Sequence, residues 1–182
     1  MSVDAATLCT AFLGERRLAA GPLAEVARAV AASSDPSSAQ VFADADARPI
    51  DLDLRGSAEE VVARLPAPPE AAPRGPGRPK LGVIAREVTL LPRHWEWLAA
   101  QPGGSSVALR KLVEAAQRDP RERARAAREA AWRFLTAMAG DRPGYEDAGR
   151  ALFADDLAGF EACMVDWPSD IRAYALVLAR PA

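Results

Sequence analysis

Six prolines fall within residues 66–82, at Pro66, Pro68, Pro69, Pro73, Pro76 and Pro79. Each ring fixes φ at about −65° and removes a backbone N–H, so neither a helix nor an interior strand runs through them. The stretch predicts an extended, semi-rigid linker over 66–82. Residues 1–65 before it, and everything from 83 onward, must find their secondary structure separately. A chain of 182 residues suits one to two small domains.

Residues 1–65 read as a small α+β unit. Leu8 to Leu13 and Arg16 to Ala19 predict a hairpin around Gly14 and Glu15. Gly21 and Pro22 open a helix with Leu23, Val26, Ala27 and Val30 at i, i+3, i+4 and i+7. Ser33 to Ser38 is a loop by composition. Val41 to Ala43 and Ile50 to Leu54 predict two more strands. In the second, Ile50, Leu52 and Leu54 alternate with Asp51 and Asp53, one face for the core and one for water. That alternation explains the aspartate pair without a metal. Ser57 and Glu60 have the spacing of a capping box for a helix carrying Val61, Val62 and Leu65. The predicted order is ββαββα.

Beyond the linker, Arg86 to Leu91 reads as a strand, and Pro92 opens a helix that carries Trp95, Leu98 and Ala99. Pro102, Gly103 and Gly104 break it. A second helix, opened by serine at Ser105 and Ser106, bears Leu109, Leu112, Val113 and Ala116 as an apolar stripe. Asp119 as N-cap and Pro120 at N1 start a third, with Ala131, Phe134, Leu135 and Met138 on one face. Tyr145 to Phe153, a helix capped by Asp155, and one bearing Ile171, Tyr174, Ala175 and Leu178 complete a helical bundle. The expected fold is α+β: an α+β domain (1–65), a linker (66–82), a strand-helix-helix centre (83–118) and a helical domain (119–182).

The net charge of −2 conceals an asymmetry. Residues 1–73 carry 6 Arg against 11 acids, residues 74–133 carry 13 Lys plus Arg against 6 acids, and residues 134–182 carry 4 Arg against 8 acids. A basic centre between acidic flanks fits a polyanionic partner for the centre, and equally fits mutual attraction of the three segments. Cys9 and Cys163 lack metal-ligand spacing and suit a reduced compartment, as small core residues. No basic stretch followed by an apolar run opens the chain, and no apolar run approaches the roughly 20 residues needed to cross a bilayer. The expectation is a cytoplasmic protein with no membrane partner.

A strand of about six residues and two helices of about ten cannot bury a core alone. A second copy supplies the remedy: two strands pair into a ribbon and four helices clasp beneath it. Val88, Leu90, Trp95, Leu98, Leu109, Leu112 and Val113 are the expected dimer core. The other ribbon face is then free to enter a DNA major groove, and the N–H groups opening the second helix face a phosphate.

Val88 to Leu90, Trp97 with Leu98, and Ser106 to Val113 resemble the ribbon-helix-helix DNA-binding family of small bacterial repressors and antitoxins. The resemblance implies that Thr89 and Glu87 point at bases while Val88 and Leu90 pack inward, with Arg86, Ser105 and Ser106 beside the DNA backbone. Glu87 departs from it, since a carboxylate facing DNA is unfavourable unless it accepts from a cytosine amine. The opposite parity, with Thr89 and Leu91 inward and Arg86, Val88 and Leu90 outward, also stands. Gly77 to Lys80 resembles the core of an AT-hook, whose extended Gly-Arg-Pro lies in an A·T minor groove. That implies a DNA-contacting arm of Arg74, Arg78 and Lys80; the alternative is a solubilising spacer. The whole chain, from its acidic start through Leu90 to Trp95 and on to Asp166 to Pro168, is similar to a bacterial family of uncharacterised function.

Arg118, Arg121, Arg125 and Arg128 align on one helix face, better read as a solvated face with i, i+4 partners than as a phosphate track. His94 is the lone histidine, so a Cys–His pair would need a distant cysteine. Arg74 to Lys80 lacks the spacing of a phosphate-binding loop, and its prolines remove the N–H groups such a loop uses. The sequence thus predicts a homodimer that binds double-stranded DNA as a transcriptional regulator, with no catalytic residues, cofactor or metal. The alternative is a dimerisation module that binds no DNA.

Overall fold

In the computed structural model, residues 3–67 and 86–181 are described. Leu8–Leu13 (β1) and Arg16–Pro22 (β2) form an antiparallel hairpin, turned at Gly14 with φ 57°. The register slips between Ala11 and Phe12, a bulge that locally bends β1. Leu23–Ala31 (α1) follows at once, and Ala39–Ala43 (β3) returns to pair antiparallel with β1, giving the order β2-β1-β3. Ala58–Ala63 (α2) closes the N-terminal stretch. Its Ser57 accepts from the Glu60 N–H while the Glu60 carboxylate accepts from the Ser57 N–H, the capping box expected from the sequence.

After 86 come Pro92–Ala99 (α3), Gly104–Arg118 (α4), Pro120–Met138 (α5), Tyr145–Phe153 (α6), Leu157–Cys163 (α7) and Ser169–Leu178 (α8). The described residues divide into two units: 3–67 together with 123–181, and 86–122. The two flanks, read from the sequence as separate domains, therefore share one body.

The reason lies in β1, where Cys9, Thr10, Ala11 and Phe12 are all buried. Alternate residues of a strand point to opposite faces, so four consecutive buried positions require cover on both sides. Cys9 and Ala11 pack with Val41 against Leu23, Val26 and Val30 of α1. Phe12 and Phe42 belong to a second core with Phe134 and Leu135 of α5, Leu152 of α6, and Ile171 and Tyr174 of α8. The Phe134 ring stands 5.3 Å from Phe12, 5.2 Å from Phe42 and 4.8 Å from Tyr174, mostly in edge-on or tilted contacts. Helices on both faces of a small sheet are a mixed α+β arrangement.

Several expectations change. Ile50 to Leu54 is no fourth strand: beyond the bridge Phe42 to Pro49 and the Ile50 N–H to Val41 carbonyl bond at 2.8 Å, the chain leaves the sheet. The carbonyls of Asp53 and Arg55 accept instead from the Arg64 guanidinium, so a side chain replaces a neighbouring strand. The order is thus ββαβα. Burial still alternates, with Ile50, Leu52 and Leu54 half-buried against the α1 core and Asp51 and Asp53 exposed. Asp156, not Asp155, caps α7, accepting from the Gly159 N–H at 2.9 Å. Asp155 adopts φ 63° and pairs with Arg128 at 3.1 Å.

In the second unit, residues 86–91 form no regular element, and no described residue pairs with them as a strand. A strand is defined by bonds to a neighbour, and no described residue offers them there. The second helix starts earlier than serine capping predicts: α4 begins at Gly104, with Gly103 as N-cap at φ 88° and no side-chain cap. Ser105 and Ser106 stand inside its first turn. The tight Pro102–Gly104 turn requires left-handed backbone at Gly103 and Gly104, which only glycine adopts without strain, and that sets the boundary.

Candidate functional site

The hairpin of α3 and α4, with the segment 86–91 that precedes it, carries most of the residues singled out from the sequence. Among the described residues of this unit only Leu98 and Ala108 are buried. Leu90 and Leu109 are half-buried. The rest of the expected dimer core is open to water: Val88 is 53% exposed, Trp95 40%, Leu112 49% and Val113 55%. Leu91 and Trp97 add to this surface. A groove of about 140 Å³ lies between the helices, bounded by Trp97, Pro102, Ala108 and Leu112, with Lys111 at its rim.

Of the residues expected at DNA, Arg86, Glu87 and Thr89 are exposed on the segment before α3, Ser106 is exposed and Ser105 half-buried. Arg74, Arg78 and Lys80 lie outside the described residues, and so does the AT-hook-like tetrapeptide. Arg93, Arg110 and Lys111 are further exposed cations of the same hairpin. The arginines expected on one helix face stand on two helices. Arg118 ends α4 and pairs with Glu114 at 3.7 Å. Arg121, Arg125 and Arg128 are on α5, where Arg125 pairs with Glu129 at 2.6 Å, an i, i+4 pair of a solvated face.

The first unit holds features that the sequence reading missed. Asp44, just after β3, accepts through one carboxylate oxygen from the hydroxyls of both Thr10 and Tyr174, each at 2.8 Å. Burial, then the bond to Asp44, pushes the Tyr174 hydroxyl far above its usual range. Burial, with Asp44 nearby, raises the Cys9 thiol to about 12. A thiol held protonated in this way is a packing group rather than a nucleophile. Neither cysteine is in a disulfide. His94 is exposed on α3, and no group of three or more His, Cys, Asp or Glu among the described residues is placed to hold a metal. No described helix is long and apolar enough to cross a membrane.

A larger cavity, about 440 Å³, opens on the α5 side of the first unit. Phe42 and Pro49 wall one side, Trp132 and Arg133 come from α5, and Phe153 from the end of α6. The spacing of Glu129, Trp132, Arg133 and Thr136 along α5 was a readable signal: three or four residues apart, they share a face.

No curated protein and no solved structure matches this chain. A family profile described as "Uncharacterized protein conserved in bacteria (DUF2239)" matches residues 8–179, almost the full length and spanning both units, and the chain belongs to that family.

Proposed function

We propose that this protein is a homodimer joined through residues 86–118, and that the dimer binds double-stranded DNA as a transcriptional regulator. The carrying observation is the exposed apolar surface of the hairpin. Trp95, Trp97, Leu112 and Val113, with Val88 and Leu91 before them, lie open while only Leu98 and Ala108 are buried. So many exposed apolar side chains on one two-helix unit, with Trp97 and Leu112 meeting at the same groove, support an interaction face there. A second copy matches it by construction, because a two-fold interface is self-complementary. Residues 86–91 of two copies would pair as a ribbon, giving each a strand neighbour that no described residue of its own chain supplies. Arg86, Arg93, Arg110 and Lys111 are the cations that would meet phosphate.

A pairing module without DNA binding is the second reading. Glu87, exposed two residues from Thr89, favours it, because a carboxylate on the ribbon's outer face is repelled by phosphate. Retention of the full chain on non-specific duplex as a function of salt, alongside sedimentation, separates the readings. A dimer whose retention falls steeply with salt is the expected result. A dimer that duplex DNA does not retain even at low salt establishes the pairing module, and a monomer at micromolar concentration overturns both.

A further inference from the structure

The 440 Å³ cavity of the first unit has the size of a small-molecule site and plays no part in the hairpin's proposed role. Its walls are aromatic and held in place. One face of the Trp132 ring stacks on Tyr145 at 4.7 Å, and the ring makes a T-shaped contact with Phe153 at 5.9 Å. A Cβ at Gly149 would come within 2.6 Å of the Trp132 ring, so the glycine leaves the space in which that ring sits. Thr136 bonds to the Trp132 carbonyl and to the Tyr145 hydroxyl, both at 2.9 Å, fixing the same wall from behind. Phe42, fully buried, anchors the opposite side. The slot is thus formed before anything enters it.

One charged group at the cavity is incompletely used. The half-buried Arg133 donates through Nη1 to the Asp46 carbonyl, a neutral acceptor. No carboxylate among the described residues pairs with it, although a guanidinium carries five donors. The one carboxylate lining the cavity, Glu129, is engaged by Arg125 at 2.6 Å. An entering anion therefore meets an open cation and a carboxylate already countered. We propose that this cavity binds a small planar aromatic carboxylate, its ring lying against Trp132 and Phe153 and its carboxylate paired with Arg133.

The test uses the full chain and two probes of nearly equal shape, indole-3-acetate and its neutral amide, indole-3-acetamide, titrated by calorimetry. A charge-assisted bond to the guanidinium should make the acetate bind about tenfold tighter or more. Arg133→Gln keeps a donor for the Asp46 carbonyl and should remove that preference while leaving amide binding in place. Ala137→Phe, at an exposed position on the cavity wall, should abolish binding of both probes without unfolding the chain. It serves equally if the arginine variant does not fold. Equal affinity for acid and amide, no binding of either, or binding undiminished in Ala137→Phe overturns the proposal.

Discussion

The Tyr174 hydroxyl donates to Oδ1 of Asp44 at 2.8 Å, across 130 residues of sequence, and so ties the last helix to the end of the sheet. Thr10 donates to the same oxygen at 2.8 Å. One carboxylate therefore satisfies two hydroxyls at the seam between the N-terminal sheet and the C-terminal helices. Removing one donor and removing the shared acceptor should then have different costs. Tyr174→Phe loses one bond and should destabilise by about 1 kcal/mol, whereas Asp44→Ala strands two hydroxyls at roughly 1–3 kcal/mol each. Urea unfolding of both variants measures the difference; equal losses would mean that Asp44 does not serve the two groups together.

Cys9 should be nearly inert. With its thiol raised from 9.0 to about 12 by burial, it should resist alkylation at pH 8.5 in the native protein and react only on unfolding. The sign for stability follows from proton counting. Above pH 9 the unfolded thiol loses its proton while the folded one keeps it, so unfolding releases protons and stability from this group falls as pH rises from 9.0 towards about 12. Cys9→Ala should flatten that decline in unfolding measurements across the range.

Two serines near helix starts should behave differently. Ser57 makes both bonds of a capping box, so Ser57→Ala should cost about 1 kcal/mol. Ser106 lies inside the first turn of α4, whose N-cap is Gly103, and Ser106→Ala should change stability by only a few tenths of a kcal/mol. Thermal melts of the two variants decide it, and an equal loss at Ser106 would place a cap there after all.

Val113 is 55% exposed on α4, so Val113→Asp should leave the protomer folded. If the hairpin pairs with a second copy, the same substitution puts an unpartnered charge into the interface and should turn the dimer into a monomer at micromolar concentration. Sedimentation with circular dichroism reads both effects. An intact dimer would move the pairing surface elsewhere.

Local elements were legible in the sequence because local chemistry decides them. The periodic stripe of Leu23, Val26, Ala27 and Val30 fixed α1 and its buried face, Ser57 with Glu60 fixed a capping box, and Ile171, Tyr174, Ala175 and Leu178 fixed the inner face of α8. The apolar stripe on α4 was readable too, though its exposure in a single chain was not. Tertiary structure decided which faces meet. That β1 is covered on both sides depends on Phe12 and Phe42 finding Phe134 and Tyr174 more than ninety residues away, and no periodicity encodes that pairing. The same holds for Ile50 to Leu54, whose alternation suits a strand but whose backbone carbonyls at Asp53 and Arg55 bond to Arg64 instead. It holds for the Trp132 slot, assembled from a strand end, a loop and two helices. Side-chain periods report what one segment does with its own faces; cores, shared acceptors and cavities exist only where segments distant in sequence come together in space.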